Sequence, residues 1–480
     1  MSNTEADDLP LYASAKKVYP QKVDGLYRRI KWGVLLVTLG IYYFLPFVRW
    51  DRGPNLPNQA VLVDLVNRRF YFFPIEVWPQ EVYYFTGLLV IAAMVLFLMN
   101  AIAGRIWCGY LCPQTVWTDL YLAVERLVEG DRRERIRLDE RKMDIDKFAR
   151  KYLKHFIWLM IAWWTGGAWV LYFADAPTLV RDLAFGEAPA AAYIWIGILT
   201  FTTYALAGFM RDQVCTYMCP WPRIQAALTD DEAYNVTYRY DRGEPRMSVK
   251  AAARARAAEQ AAGDCVDCNQ CVAVCPTGID IRHGAQLECI QCSLCMDACN
   301  TVMTKIGRPH GLIGWDTDFN VKARIAKQPT KPFHPIRART LIYFALIVIV
   351  GGGMVYQLAT RSTAGISALH DRTPQFVVKS DGSIHNAYTI RLSNKRPDTR
   401  PFALTVEGPT GAQLEVVNVA PTSDWRPIVN VDPDSTREVR VLITVPKSSL
   451  TEKSVPVTIK ASDLFAGEVV IAKDHFFGPG

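Results

Sequence analysis

The sequence predicts an α-helical membrane protein with five transmembrane helices, a cysteine-rich cytoplasmic insert and a carboxy-terminal all-β domain. Three observations support this fold class. The chain of 480 residues contains several long apolar runs, and its 12 cysteines fall into three tight clusters, none of them beyond Cys299. The last part of the chain instead alternates apolar and polar residues, which is typical of strands that bury one face.

Five apolar runs approach the roughly 20 residues that are needed to cross about 30 Å of hydrocarbon. Half of all residues are hydrophobic but 21% are charged, so soluble parts must alternate with these spans. A buried core helix is the alternative, and it is most plausible for the shortest run. The amino terminus shows no signal-peptide cleavage pattern. The runs are residues 32–48, 83–103, 156–174, 190–210 and 340–358.

Lysine and arginine indicate the orientation, because cytoplasmic loops carry an excess of them. They are dense in residues 105–154 and 211–339 and few in residues 51–81 and 175–187. The segment 1–31 and both basic segments are therefore predicted to be cytoplasmic, and five spans place the carboxy terminus outside. This topology accounts for the net charge of +7. The charged run DRRERIRLDERK is predicted to be a solvated helix near lipid headgroups rather than a nucleic-acid site.

The four-helix membrane domain, residues 32–210, contains the first two cysteine clusters. CGYLCP (Cys108, Cys112) and CTYMCP (Cys215, Cys219) follow the second and fourth runs. If the helices continue, a spacing of four residues places each pair of thiols on one helix face, until Pro113 and Pro220 end or kink each helix. Both spans leave the membrane on the same side, so the two pairs are predicted to form one four-thiol site.

The two motifs also share an arginine at their start and a central tyrosine, which indicates an internal pseudo-repeat. The matched residues are Arg105 with Arg211 and Tyr110 with Tyr217. Thiolates suit Cu(I), an iron-sulfur cluster or a dithiol that cycles with a disulfide. The chemistry of the site stays open among these three, and cysteines that merely pack as small apolar residues are a fourth alternative.

The third cluster of cysteines predicts a ferredoxin-like domain at about residues 255–310, within the cytoplasmic region 211–339. CVDCNQCVAVCP and CIQCSLCMDACN repeat the spacing C-x2-C-x2-C-x3-C of two-cluster iron-sulfur proteins. A disulfide scaffold is disfavoured, because a chain of this length needs no such staples. Zinc would leave the third and fourth cysteine of each motif unused. Eight thiolates therefore predict two [4Fe-4S] clusters.

In such pairs the fourth cysteine of each motif binds the cluster of the other motif. Pro276 follows the first motif and turns the chain, but Asn300 stands at the same place after the second motif. The predicted ligands are Cys265, Cys268, Cys271 and Cys299 for one cluster, and Cys275, Cys289, Cys292 and Cys295 for the other.

After the fifth span, residues 340–358, the segment 365–480 is predicted to be an extra-cytoplasmic sandwich of immunoglobulin type. Period-two runs occur at residues 387–392, 402–406, 439–445 and 455–459, with glycine and proline between them. The segment has no cysteine, so the sandwich would lack the usual disulfide.

Other redox cofactors are not expected. No glycine-rich nucleotide fingerprint precedes a helix, so neither NADH nor a flavin is bound by that means. The spans lack paired histidines, and haem is therefore disfavoured. A separate cytoplasmic electron donor is needed to reduce the clusters.

The order of five spans, CGYLCP, CTYMCP, the double C-x2-C-x2-C-x3-C block and a β-rich tail resembles the cytochrome c oxidase accessory protein family CcoG, also called FixG or RdxA. The resemblance implies a protein of the bacterial cytoplasmic (inner) membrane, with its tail in the periplasm, that reduces Cu(II) to Cu(I) for the copper centre of cbb-type cytochrome oxidase. It implies copper chaperones or transporters and oxidase subunits as partners, besides membrane lipid, and it allows a homo-oligomer. The residues that match the copper-binding, catalytic motif of the family are Cys108, Cys112, Cys215 and Cys219.

Two other functions stay open. Electron-relay subunits that exchange electrons with quinol also combine C-x3-C-P pairs with a two-cluster block, although they generally lack a long β-rich tail. A non-enzymatic scaffold for oxidase assembly, with purely structural clusters, is the second alternative. Its contact surface could include the aromatic loop at residues 69–84, although aromatic belts at the membrane interface are the commoner explanation of such a loop.

Overall fold

A computed structural model of the chain describes residues 17–53, 56–396, 398–419, 426–450 and 452–479. The chain divides into two compact units, Met1–Trp50 with Gln59–Met354 and Asp51–Asn58 with Val355–Gly480. The α-helices are α1 Leu26–Phe44, α2 Tyr83–Ala103, α3 Ile106–Tyr110, α4 Pro113–Glu129, α5 Arg132–Glu140, α6 Ile145–Val170, α7 Ala176–Phe185, α8 Ala190–Thr203, α9 Trp221–Leu228, α10 Tyr240–Gly243, α11 Val249–Ala257, α12 Gln270–Ala273, α13 Leu294–Lys305, α14 Asp318–Ile325 and α15 Ala338–Ala359.

Within the described residues, four helices are long and apolar enough to cross a membrane. They are Leu26–Phe47, Tyr83–Ala103, Ala190–Met210 and Ala338–Ala359. The remaining predicted span, residues 156–174, falls in α6, which begins at Ile145 and ends at Val170. The first turns of α6 carry the charged side chains of Lys147, Lys151 and Lys154, so its apolar part is shorter than a full span. A membrane protein is therefore supported, and the fifth span stays a prediction.

Helices α4, α6 and the end of α8 pack around one aromatic pair. The rings of Tyr121 and Trp158 stack with centroids 5.1 Å apart. The Tyr121 hydroxyl donates to the Trp158 carbonyl (2.9 Å), and the Trp158 indole donates to the Tyr121 carbonyl (3.1 Å). Ala207 completes the cluster, in the π-helical turn Tyr204–Met210 that extends α8. This packing fixes the segment that leads into the second C-x3-C-P motif.

A small antiparallel ribbon, β1 Val61–Asp64, β2 Arg69–Phe72 and β3 Ile75–Val77, precedes α2. The cysteine-rich insert is framed by a second ribbon, in which β4 Tyr234–Tyr238 pairs with β5 Ile313–Thr317. Apolar side chains of this ribbon pack against Cys265, Cys271 and Cys299 in one buried cluster. The two ends of the insert are thereby held together.

The second unit is a sandwich of two antiparallel sheets, as the period-two runs predict. One sheet has the order β10-β12-β8-β6, with β7 also paired to β8, and the other has the order β11-β9-β13-β14. Alternate side chains of β8 are buried along its length, which is the pattern of a strand with one face on a core. The strands are β6 Ala364–His370, β7 Val377–Val378, β8 Ile384–Asn394, β9 Arg400–Glu407, β10 Gln413–Val416, β11 Ile428–Val431, β12 Ser435–Val445, β13 Ser454–Asp463 and β14 Val469–Phe477.

Candidate functional site: two cysteine loops and a four-thiol cavity

The two ferredoxin-like motifs adopt the same backbone shape. Asp267 and Asn269 have φ angles of 50° and 55°, and the equivalent Gln291 and Ser293 have φ angles of 54° and 60°. Left-handed conformations of residues other than glycine are uncommon and cost about 1–3 kcal/mol each, and they concentrate at ligand sites. Their repetition at matching positions indicates two loops built for the same kind of ligand.

A buried arginine holds the first loop in this shape. The Arg282 guanidinium donates to the carboxylates of Asp267 (2.6 Å) and Asp280 (2.6 Å) and to the Asn269 side chain. Both left-handed residues of the loop are therefore bonded to one cation, whose charge the two carboxylates balance.

The second loop is held by different groups. The Gln291 side-chain oxygen accepts the backbone N–H of Arg105 (2.8 Å), and its amide donates to Asn235 of β4. The Tyr110 hydroxyl donates to the carbonyl of Cys292 (3.2 Å). The second loop therefore rests on the first C-x3-C-P motif, to which Arg105 and Tyr110 belong.

The structure brings cysteines of the two motifs together. Cys271 and Cys275 of the first motif line one pocket with Cys289, Cys292 and Cys295 of the second, and Cys299 of the second motif packs in a core with Cys265 and Cys271. All 12 cysteines are free thiols. Burial raises the pKa of Cys289 to about 12 and that of Cys271 to about 11, so iron must displace their protons on binding. This donor set fits two [4Fe-4S] clusters, and the ligand assignment stays a prediction.

The replacement of proline by Asn300 has a structural consequence. After Cys275 the short helix α12 has already ended, whereas α13 continues from Leu294 through Cys299 to Lys305. The Asn300 side chain accepts the backbone N–H of Gly311 (3.0 Å). The second motif therefore ends inside a helix that connects the two cysteine sets.

The C-x3-C-P motifs do not lie on continuing helices, and that expectation is wrong. Helix α2 ends at Ala103, Cys108 lies in the short helix α3, and Cys112 is extended (φ −61°, ψ 126°) before Pro113 opens α4. In the second motif Cys215 lies in the π-helical turn Val214–Met218, and Cys219 is again extended (φ −80°, ψ 122°). Pro113 is the first residue of α4, which suits a residue without an N–H, and Pro220 immediately precedes α9.

The backbone also corrects the alignment of the pseudo-repeat. Gly104 (φ 49°, ψ −117°) and Arg211 (φ 43°, ψ −112°) share one unusual conformation, each four residues before the first cysteine of its motif. Gly104 therefore corresponds to Arg211, and Arg105 corresponds to Asp212. The two halves carry opposite charges at equivalent positions.

The four thiols nevertheless lie around one cavity of about 170 Å³. Cys108, Cys112, Cys215 and Cys219 line it together with Cys289 of the second ferredoxin-like motif, and Trp107, Trp221 and Leu96 contribute apolar walls. Within the described residues, no three His, Cys, Asp or Glu side chains converge closely enough to hold a single metal ion. The cavity thus collects the thiols without closing around one ion.

The two halves of this four-thiol cavity differ in exposure. Cys108 and Tyr110 are buried, whereas Cys219 and Tyr217 are exposed. A Cβ atom at Gly109 would approach the Ile290 carbonyl oxygen to 2.8 Å, so the buried half contacts the second loop directly. Burial raises the pKa of Cys108 to about 12 and that of Cys215 to about 11. One half faces the second ferredoxin-like loop, and the other is exposed at the protein surface.

Two residues of the site lie outside the motifs that the sequence analysis singled out. Gln225 of α9 is buried, and its side-chain oxygen accepts the Cys108 thiol proton (Sγ to Oε1, 3.4 Å). Trp221 lines the cavity from the start of the same helix. Neither has a spacing signal in the sequence, because the fold alone brings α9 against α3.

Three family models match parts of the chain. A 4Fe-4S dicluster domain matches residues 210–318, and a 4Fe-4S binding domain matches residues 85–129. The IG-like fold at the C-terminal of FixG matches residues 354–479. These matches support an iron-sulfur protein with redox activity and an immunoglobulin-like tail.

Curated relatives extend the similarity to the full length. The nitrogen fixation protein FixG of Rhizobium meliloti (strain 1021) is 47% identical over 496 residues, which cover 98% of this chain and 94% of FixG. Protein RdxB of Cereibacter sphaeroides is 47% identical over 485 residues, which cover 100% of both chains. Protein RdxA of the same organism is 47% identical over 442 residues, or 92% of each chain. Because an identity of 47% extends over nearly the full length of these relatives, the chain belongs to the FixG/RdxA family.

Proposed function

We propose that this membrane-bound iron-sulfur oxidoreductase reduces Cu(II) to Cu(I) at the four-thiol cavity, in support of the copper centre of a cbb-type cytochrome oxidase. One observation carries the proposal. The four C-x3-C-P thiols and Cys289 line the same cavity, so a predicted cluster ligand borders the place where a substrate metal would be reduced.

The chemistry needs one electron for each copper ion. When bound, the two clusters would supply single electrons, one for each Cu(II) that becomes Cu(I). Thiolates favour the product, because Cu(I) prefers sulfur whereas Cu(II) prefers nitrogen and oxygen ligands. The thiols of Cys108 and Cys215 must lose their protons to bind copper, and the cavity must contract around the ion.

The unequal exposure of the cysteines suggests a direction for electron transfer through the protein. Cys268 is the exposed member of the eight predicted cluster ligands, and it lines an open cavity of about 570 Å³. A separate cytoplasmic electron donor would therefore deliver electrons at the loop of Cys268. Copper would enter and leave on the side of the exposed Cys219.

The proposed topology has five spans in a bacterial cytoplasmic membrane, with the iron-sulfur domain cytoplasmic and the sandwich periplasmic. The charge asymmetry of the loops supports this orientation. Copper chaperones or transporters and oxidase subunits are the proposed partners, and the sandwich would offer them a surface outside the membrane.

The test is anaerobic reduction of Cu(II) by the purified protein, with Cu(I) detected by a chelating dye. Cys108→Ala and Cys215→Ala are expected to lower the yield of Cu(I) while the EPR spectrum of the two predicted clusters stays unchanged. Tyr217→Phe, at an exposed position of the second motif, is the control and should leave the yield unchanged. Full copper reduction by a variant that lacks all four C-x3-C-P cysteines would contradict the proposal.

A second function is favoured by one comparison. The 4Fe-4S binding domain matched by residues 85–129 contains Cys108 and Cys112, so the four-thiol cavity could hold a further iron-sulfur cluster and relay electrons to or from quinol. Metal analysis separates the two functions: about eight irons per chain supports a cavity free for copper, and about twelve supports the relay. A scaffold would be indicated if Cys268→Ala and Cys292→Ala left oxidase assembly intact.

A further inference from the structure

Arg105 is a buried cation without an ion-pair partner. Its guanidinium donates to the carbonyls of Leu287, Cys289 (3.3 Å) and Pro222 (2.9 Å). Within the described residues it forms no ion pair, although Glu288 lies near enough to influence it. Carbonyl oxygens satisfy its hydrogen bonds but carry no net charge. A buried cation of this kind is costly unless an anion lies close to it.

Cysteine sulfurs are the groups that can supply this anion. Arg105 lines the four-thiol cavity together with Cys108 and Cys289. Burial lowers the pKa of Arg105, whereas Cys289, Cys108 and Glu288 raise it. Ionised sulfurs, whether they bind a cluster or copper, would balance the charge that Arg105 carries there.

The first loop has the opposite arrangement. Its cation, Arg282, is already paired with two carboxylates, Asp267 and Asp280. Beside the second loop, Lys31 interacts with Cys292, but its ammonium lies 3.8 Å from the Asp119 carboxylate. Among the described residues, Arg105 is therefore a cation beside the second loop whose charge no carboxylate pairs directly.

We infer that Arg105 raises the reduction potential of the centre held by the second loop above that of the first, so that electrons move toward the four-thiol cavity. A net positive charge beside a cluster stabilises its reduced, more negative state. Arg105 acts here as a positioning and electrostatic residue and need not touch copper. The inference rests on the iron-sulfur part of the proposed function and is independent of the copper step.

The test is an EPR-monitored redox titration of the full-length protein without copper. Arg105→Gln is expected to lower the reduction potential of the centre held by the second loop. The equilibrium constant for electron transfer between the two clusters should shift roughly tenfold, or about 59 mV for one electron. Arg105→Lys keeps the charge and should retain most of the native separation. Cys268→Ser identifies the signal of the first loop, which should not move in either arginine variant.

Two results would overturn the inference. One is an Arg105→Gln protein with full iron content and both potentials unchanged. The other is equal loss of iron in Arg105→Gln and Arg105→Lys, which would make the side chain a structural brace. A copper assay that fails while the potentials shift as expected would contradict the proposed function and leave the role of Arg105 standing.

A separate feature of the sandwich is the turn between β13 and β14. Leu464 and Phe465 at its tip are large apolar side chains with 52% and 79% exposure. The Asp463 carboxylate accepts the backbone N–H groups of Phe465 (2.9 Å) and Ala466 (3.0 Å) and binds Arg400 (2.6 Å). The tip is therefore held rigidly, with its apolar side chains directed away from the core.

This tip is tied to the chain just after the apolar helix α15. The Glu468 carboxylate accepts the hydroxyls of Ser362 (2.6 Å) and Thr363 (2.6 Å) and the backbone N–H of Thr363 (2.9 Å). Helix α15 ends at Ala359, and three extended residues reach at most about 10 Å. The turn must therefore lie close to the end of that span.

The geometry points to a contact of Leu464 and Phe465 with the headgroup layer of a lipid bilayer. Bulky apolar side chains at this depth bury part of their surface at the boundary between headgroups and acyl chains. The contact would hold the sandwich at one angle to the membrane surface.

Photo-crosslinking in lipid nanodiscs tests this contact with the full chain. Benzoylphenylalanine replaces Phe465 or, as a control, Val378. Val378 is also exposed (53%), and it pairs with Ile384 at the opposite end of β8 from Asn394. At least tenfold more lipid adducts are expected at position 465 than at position 378. Equal yields of lipid adducts, or adducts with protein alone at position 465, would overturn the proposal.

Discussion

The side chain of Glu125 is the most informative single position for testing how the buried charges support the site. It is almost completely buried in α4, and its carboxylate contacts Arg135 (3.0 Å), Arg211 (3.1 Å) and Lys154 (3.6 Å). Burial alone would raise the pKa of Glu125, but Arg211, Lys154 and Arg135 lower it to about 2. Glu125→Gln keeps the shape and leaves these cations without their shared carboxylate.

The expected cost follows from two parts of the structure. Removing one partner of a buried ion pair costs about 3–5 kcal/mol. Arg211 also holds a left-handed backbone (φ 43°), a strain of about 1–3 kcal/mol that its surroundings must maintain. Because Arg211 lies four residues before Cys215, its release should also disturb the exposed half of the four-thiol cavity.

The assay is thermal unfolding of the purified full-length protein in detergent, read together with metal content. At about 1 °C per kcal/mol, which is what an unfolding entropy of about 2.1 cal/mol/K per residue gives for a chain of this length, Glu125→Gln should lower the midpoint by roughly 3–5 °C. The double variant Glu125→Gln/Arg135→Met should recover part of this loss, because among the described residues Arg135 forms its ion pair with Glu125 and the second substitution removes the cation that is left unbalanced. Glu438→Gln breaks an exposed pair with Arg391 (2.9 Å) and should change stability by less than about 1 kcal/mol. Equal midpoints for Glu125→Gln and Glu438→Gln would refute the reasoning.

Three further outcomes are expected. Cys299→Ser should alter the EPR signal of the cluster predicted to be bound by the first motif and spare the other, whereas loss of the second signal alone would contradict the crossover. Gly109→Ala places a Cβ atom 2.8 Å from the Ile290 carbonyl and should lower iron content, whereas Gly167→Ala, with no atom within 4 Å, should not. The contacts of Glu468 with Ser362, Thr363 and Arg400 outweigh the effect of its burial and lower its pKa to about 2. Its contribution to the free energy of unfolding, about 2 kcal/mol after a reduction for partial exposure, is therefore present above about pH 4.3 and lost as the pH falls toward 2. Glu468→Gln should flatten the pH dependence of unfolding in this range.

The sequence was informative wherever one periodicity or spacing decides the structure. The runs at residues 387–392 and 439–445 lie inside β8 and β12, because alternation of side chains is a local property of a strand. Four of the five apolar runs likewise coincide with helices that are long enough to span a membrane; they are residues 32–48, 83–103, 190–210 and 340–358. Residues 156–174 differ, since Lys151 and Lys154 in the preceding turns of α6 pair with Glu129 of α4. Lys147 donates to the backbone carbonyl of Asp139 in α5.

The site was less predictable, because its geometry depends on contacts between distant segments. Cysteine spacing predicts which thiols belong together. It carries no information on the helix break at Gly104, or on the structural equivalence of Arg105 and Asp212 in the two halves of the pseudo-repeat. Nor could it place Gln225 beside Cys108, since that contact joins residues 117 positions apart. The one local signal in the sequence was Arg105, at the start of the first motif. Its inferred electrostatic role depends on its position beside Cys289, which only the structure shows.

The asymmetry of the pseudo-repeat explains how a duplicated motif can serve a directional process. If the two halves were identical, electrons and substrate could each reach the cavity equally well from either half. Here the half with Cys108 is covered by the second ferredoxin-like loop, whereas the half with Cys219 is exposed. Arg105 stands on the covered side, and its counterpart Asp212 stands on the other, near Cys215. A cation toward the incoming electron and a carboxylate toward the incoming Cu(II) would favour the proposed transfer in one direction. The divergence of the two halves, rather than their shared cysteines, would then give the proposed reduction its direction.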